Sequence, residues 1–313
     1  MILTVTLNPA IDKTYRTGQL IPGHVNRMES MENIPGGKGI NVGKILNECS
    51  CPVTATGFLG GYTGRWIERR LGEMGIGCDF VSIGADTRCS MNVVADNGFV
   101  TEILEPGPWI CPEERLVFFG KYRELVQSCD LVVLSGSAAP GLPPDIYADL
   151  VGIAKNVGKR AILDTSGEAL SRGIQVGPWL VKPNRKELEY LAGHPCRTRD
   201  EVLEAARKML ENGIEWAAVS AGEKGMYLVG EREALYAAAP KVDAVNTVGC
   251  GDCACAAFAL SALRGEDAGR MLRRAVAMSA ASATVFGSGT VPLKLAEELM
   301  ERVEIVDLFM GSL

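Results

Sequence analysis

Short apolar runs separated by stretches with helical spacing constrain this chain more than anything else in it. The runs are residues 2–7 (ILTVTL), 130–136 (DLVVLSG), 160–167 (RAILDTSG), 179–184 (WLVKPN) and 216–220 (WAAVS). Each is short and ends in a polar or turn residue, which predicts a buried strand. Between them Val42, Ile45, Leu46 and Cys49 recur at i, i+3, i+4 and i+7, the spacing of one helix face. Val202, Leu203, Ala206, Met209 and Leu210 form a second stripe that stops before Gly213. Alternation of this kind predicts a three-layer α/β fold, a central mostly parallel sheet with helices on both faces. With 313 residues the chain can bury that core within a single domain spanning 1–313.

Two segments break the rhythm. Residues 12–33 are polar with spaced apolar residues, and residues 88–104 hold two β-like runs around Asn97-Gly98, a pair suited to a tight hairpin turn. The pattern is served by plain surface hairpins or by a small β lid over one edge of the sheet. A lid has a purpose if the domain binds a nucleotide, because phosphoryl transfer needs water excluded.

Composition narrows the function classes. A net charge of −6 gives no reason to expect nucleic acid or anionic membrane as a partner. No apolar run is long enough to cross a bilayer, and MILTVTLNPAID lacks the basic start of a signal peptide, so a cytoplasmic location is expected. The ten cysteines are scattered and read as reduced thiols. Cys250, Cys253 and Cys255 contain one C-x-x-C, but with two histidines and no second pair at zinc spacing a metal–thiolate site is not expected.

Residues 249–252 read Gly-Cys-Gly-Asp and run straight into CACAAFALSAL, a small-residue helix pattern. A glycine turn opening a helix points free N–H groups and the positive helix end at one spot, which suits an anion. Asp252 beside it could accept a hydroxyl proton during phosphoryl transfer, or simply cap the helix. Residues 34–43 (IPGGKGINVG) offer a second glycine-rich turn into a helix, with Lys38 and Asn41 placed to meet a polar ligand. Neither G-x-x-x-x-G-K-[ST] nor a G-x-G-x-x-G after a strand occurs, which argues against P-loop kinases and dinucleotide dehydrogenases. Three further polar turns, Ser135-Gly136-Ser137, Lys182 to Glu187 and Ser220 to Gly225, each follow a predicted strand. Ligands of open α/β sheets gather at those carboxyl ends.

In this order, TLNPAID (6–12), PGGKGINVGKIL (35–46), GFLGG (57–61), LSGS (134–137) with PGLP (140–143), WLVKPNRKELE (179–189) and TVGCGD (247–252) resemble the PfkB or ribokinase-like carbohydrate kinases. The resemblance spans essentially the whole chain and is strongest to the group of 1-phosphofructokinase and tagatose-6-phosphate kinase. It implies the ribokinase-like form of the α/β fold, ATP and Mg2+ as cofactors, and a ketohexose monophosphate phosphorylated to a 1,6-bisphosphate. It implies Asp252 as catalytic base, with the backbone of Gly249, Cys250 and Gly251 as anion hole. Asn184 and Glu187 would stand near the magnesium, through water, and Lys182 near the ATP phosphates. Ser220, Gly222 and Gly225 would line the nucleotide. Asp12, Gly37, Lys38, Gly39 and Asn41 match the sugar-binding segment, and Lys38, Arg27, Arg88 and Ser137 are the candidates for the sugar's phosphate. A homodimer through the lid is the implied assembly.

Two departures from the family pattern bear on this. Cys250 replaces the usual alanine, adding a thiol that could oxidise beside the anion hole. In the lid, Thr87-Arg88-Cys89-Ser90-Met91-Asn92 has Asn92 where 1-phosphofructokinases tend to carry lysine. That run and residues 101–108 (TEILEPGP) look more like tagatose-6-phosphate kinase, whereas 179–189 and the segment before Asp252 look more like 1-phosphofructokinase. D-tagatose 6-phosphate therefore leads, with D-fructose 1-phosphate the alternative and a non-catalytic sugar-phosphate or nucleotide sensor the rival of another class.

Overall fold

The computed structural model describes residues 1–96 and 99–309, so the expected Asn97-Gly98 turn lies outside the described residues. Strand β1 (Ile2–Thr6) is buried at every position, the mark of an interior parallel strand. The chain then leaves the sheet as the hairpin β2 (Ala10–Thr17) and β3 (Ser30–Gly36), enters α1 (Lys38–Glu48) and returns as β4 (Val53–Gly60) beside β1. Next come α2 (Gly61–Glu73), β5 (Gly77–Cys78), β6 (Val81–Ile83), β7 (Arg88–Ala95), β8 (Val100–Leu104) and α3 (Pro112–Ser128). The βα alternation resumes with β9 (Leu131–Ser135), α4 (Ile146–Asn156), β10 (Arg160–Asp164), α5 (Gly167–Ile174) and β11 (Leu180–Val181). It ends with α6 (Arg185–Ala192), α7 (Arg199–Leu210) and β12 (Trp216–Ser220). The C-terminal part holds β13 (Met226–Val229), β14 (Ala234–Ala237), α8 (Cys250–Arg264), α9 (Ala268–Ser282), α10 (Leu293–Met300) and β15 (Ile305–Asp307).

The main sheet runs β15-β14-β13-β12-β11-β10-β9-β1-β4-β5, with β6 also on β4. It is parallel from β12 to β5 and antiparallel through β13, β14 and β15. Side chains alternate between its faces: Ile2 packs in one core cluster with residues of α1, α8 and α9, while Leu3 and Val5 pack in another with residues of α3, α4 and α7. Three layers follow, a mostly parallel sheet between two layers of helices, as the alternation of runs predicts.

The segments expected to form the lid make a separate four-stranded sheet of order β3-β2-β7-β8, two antiparallel hairpins joined where β2 and β7 run parallel. Register puts Asp12, Thr14, Arg88, Ser90, Asn92 and Glu102 on one face, and Tyr15, Met31, Met91 and Ile103 on the other. The expected strand over 179–184 shrinks to two ladder residues. Pro183 has no N–H to give, and Asn184 already caps α6.

Candidate active site

The polar turns expected at strand ends converge on the carboxyl edge of the parallel sheet. Asp164, the last residue of β10 and 1% exposed, is the hub. Lys38 reaches its Oδ2 at 3.3 Å and Lys182 its Oδ1 at 3.3 Å, while Ser135 Oγ also donates to Oδ2 at 3.3 Å. The two ammonium groups outweigh burial and hold the Asp164 carboxyl below its usual range, and Asp164 in turn raises Lys38. Two fixed positive charges thus face the cleft at neutral pH.

The turn into α1 brings Lys38 there. Gly39 lies so close to Val5 O and Thr6 Oγ1 at the end of β1 that any side chain would collide with them. One turn on, Asn41 Nδ2 donates to Asp252 Oδ2 at 2.9 Å. Lys38 and Asn41 are i and i+3, so one helix face supplies both. Lys44, a further turn along and 5% exposed, donates to Pro35 O and Ser288 O at 3.0 Å each.

Gly249 caps α8 with φ of 91°, a left-handed value that suits glycine, and makes no side-chain cap bond. The N–H groups of Gly251 and Asp252 take no partner among the described residues. A Cβ on Gly251 would lie 3.3 Å from Lys182 Nζ, so the bare turn and the lysine face each other across a narrow gap. Burial pushes the Asp252 carboxyl up to about 6 against the pull of Lys38, Asn41 and Lys182. Burial and the neighbouring Asp252 also raise the Cys250 thiol, which keeps it protonated and less open to oxidation than its position suggested.

The remaining candidates fall into two groups. Ser137 is exposed beside Gly136, whose Cα side faces the Lys38 stem, and Tyr147 and Thr165 both donate to Gly136 O at 2.8 Å, fixing that turn. Asn184 and Glu187 form a reciprocal capping box on α6, at 2.8 and 3.0 Å, which commits one oxygen of each. Ser220 pairs with Asn184 in an isolated parallel bridge; Gly222 faces open space, and Gly225 is buried against Ala237 O with φ of 104°. On the lid, burial raises Asp12 to about 6 despite Lys44 and Arg88. Arg88 donates to Glu105 O at 2.7 Å and Asn8 O at 3.1 Å, and its Nε is sealed without a partner. Arg27 stands apart: it is exposed in the β2–β3 connection, at the end of the hairpin away from Asp12.

Asp164, Lys44 and Ser288 were missed as site residues. A carboxylate closing an apolar strand and a lysine within an apolar helix stripe were the signals available for the first two.

The pfkB family carbohydrate kinase model matches residues 4–294. The chain belongs to the pfkB family. As a pfkB carbohydrate kinase it is a phosphotransferase with an alcohol group as acceptor. Among solved structures it is similar to phosphofructokinase-2 from Escherichia coli in complex with potassium, at 29% identity and TM-score 0.90, over 96% of this chain and 98% of that one. A Thermotoga maritima protein described as a possible 1-phosphofructokinase matches at 26% identity and TM-score 0.90, over 98% of this pfkB chain and 99% of its own. Arabidopsis thaliana ribokinase, at 24% identity and TM-score 0.77 over 96% and 98%, shares the fold.

Proposed function

We propose that this pfkB kinase transfers the γ-phosphoryl group of MgATP to a ketohexose monophosphate, giving a 1,6-bisphosphate, with D-tagatose 6-phosphate the leading substrate. The observation that carries the reading is Asp252: buried, raised to about 6, and set at the open N-terminus of α8 between Lys38 and Lys182. A carboxylate so poised is unprotonated at neutral pH yet basic enough to take a proton from an alcohol.

The residues present fit a nucleotide. The unpaired N–H groups at the start of α8 suit a phosphoryl oxygen, Lys182 faces them, and Glu187 keeps one oxygen outside its capping bond. ATP supplies the phosphoryl group, and Asn184 and Glu187 would hold Mg2+ through water, where it would offset the phosphate charge. Asp252 accepts the proton of the substrate hydroxyl as that oxygen bonds to phosphorus and the bond to the leaving ADP oxygen breaks. The backbone of Gly249, Cys250 and Gly251 stabilises the charge on the moving group, and Lys182 draws it toward the hole. Ser220, Gly222 and Gly225 border the nucleotide. Asp12, Gly37, Gly39 and Asn41 line the sugar, while Lys38, Arg88 and Ser137 take its phosphate. Arg27 joins them only if its connection folds toward the cleft.

Tagatose 6-phosphate offers its C1 hydroxyl to Asp252, whereas fructose 1-phosphate would enter reversed and offer C6. Asn92, on the Asp12 face of β7 with no partner for its Oδ1 among the described residues, stands where 1-phosphofructokinases tend to carry lysine, and that departure supports the first. Fructose 1-phosphate remains the second reading, supported by the likeness of 179–189. The rival sensor role fits poorly with an intact base and open helix end.

The test is an ADP-release assay with MgATP against tagatose 6-phosphate, fructose 1-phosphate, fructose 6-phosphate and unphosphorylated fructose, tagatose and ribose. The expected result is the highest kcat/KM for tagatose 6-phosphate. Preference for fructose 1-phosphate reverses the substrate orientation, turnover of free sugars alone refutes the phosphate clamp, and no turnover with any supports the sensor.

A further inference from the structure

A general base works only if its acceptor oxygen is aimed at the hydroxyl. Among the described residues no group of α8 hydrogen-bonds the Asp252 carboxylate, and the Gly249 cap contributes no side chain. The hold comes from α1, across 211 residues, as the 2.9 Å bond from Asn41 Nδ2 to Asp252 Oδ2. Asn41 is 5% exposed and Asp252 4%, so water does not compete for that bond. The other end of the amide makes the arrangement informative. Asn41 Oδ1 is sealed from solvent with no partner among the described residues, 2.6 Å from where a Cβ on Gly289 would stand. Rotating the amide would bring that oxygen against the carboxylate, two acceptors face to face. The amide keeps one buried atom unpaired so that it can hold the acid.

We infer that Asn41 is a positioning residue for phosphoryl transfer: its amide fixes Oδ2 of Asp252 and leaves Oδ1 as the oxygen presented to the attacking hydroxyl. The inference rests on Asp252 being the base. It gives Asn41 a role that acts through another side chain, distinct from the sugar contact implied by resemblance.

The charged and titratable groups facing Asp252 are Lys38 and Lys44 on α1, Asp164 at the end of β10 and Lys182 after β11, with the thiols of Cys250, Cys253 and Cys255 on its own helix. Among them the Asn41 amide favours the charged carboxylate. Removing it moves the acid limb of activity to higher pH.

The experiment compares wild type, Asn41→Ala and the isosteric Asn41→Asp by kcat/KM against pH, and by calorimetric titration of the sugar phosphate without nucleotide. In Asn41→Ala, kcat falls about tenfold to a hundredfold. The acid limb rises by about half a pH unit or more, and further in Asn41→Asp, where a second carboxylate faces the base. Sugar-phosphate Kd weakens in both variants by the sugar contact they lose, so the acid limb, which a sugar contact alone does not move, carries the test. An acid limb that stays at the wild-type pH, in whichever variant folds, assigns Asn41 to the sugar alone and overturns the proposal. A wild type inactive on every ketohexose phosphate instead removes the functional reading, and this role with it.

Discussion

Asp252 carries its charge where the surroundings resist one. Its carboxyl is raised from 3.8 to about 6, so the charged form is disfavoured in the folded protein relative to the unfolded chain. Both states hold the proton below the unfolded value, so this penalty is absent there; it grows between the two values and is full above about pH 6. Each unit is about 1.4 kcal/mol, so the burden is on the order of 3 kcal/mol. Asp252→Asn should therefore abolish transfer while leaving ligand binding largely intact, and should unfold at the same or a higher temperature at pH 8. Wild-type kcat/KM should rise through about pH 6. A fully active Asp252→Asn enzyme sinks the assignment. This residue was legible because a glycine turn opening a helix has few neighbours that matter. Asp164 was not, because its importance comes from β10 lying between β9 and β11, which brings Lys38 and Lys182 to one carboxylate.

At the scale of elements, apolar runs announced the parallel strands and the break in rhythm announced the lid. The antiparallel edge was silent: β13 and β14 span four residues each, and β15 is largely exposed, so neither length nor alternation marked them. Also unmarked was the bracing of α8 against α9. Arg274 pairs with Glu266, and its Nε donates to Ser261 Oγ at 3.1 Å and Glu266 Oε2 at 3.0 Å. Both charged side chains are 10% exposed, so removing one strands the other. Glu266→Ala should cost about 3 kcal/mol of stability, read by urea unfolding, whereas an unchanged midpoint would show the pair to be dispensable. Because α8 carries Asp252 at its other end, activity should decline on warming before the variant unfolds.

For the whole molecule, the outward face of the lid stands out. Met31 is 53% and Ile103 49% exposed on the side opposite Asp12, a surface that a second copy could cover. A homodimer through this face is the expected assembly. Sedimentation velocity should find a dimer in wild type and a monomer in Ile103→Glu; a wild type monomeric at every concentration removes the idea.

The Lys44 ammonium, bonded to Pro35 O nine residues back and to Ser288 O 244 residues ahead, says something about time as well as space. Together with the Asn41–Asp252 bond, across 211 residues, it ties α1 to the stretch around α8 and Ser288, so the cleft floor is made of pieces synthesised far apart in time. A ribosome that has produced the lid, α1 and the first parallel strands has made neither α8 and α9, which fill much of one core cluster, nor the proposed base. Such long closures are slow to find. The kinase should therefore acquire its proposed catalytic centre late, together with the core that α8 completes, and an interrupted chain should be folded in part and inert.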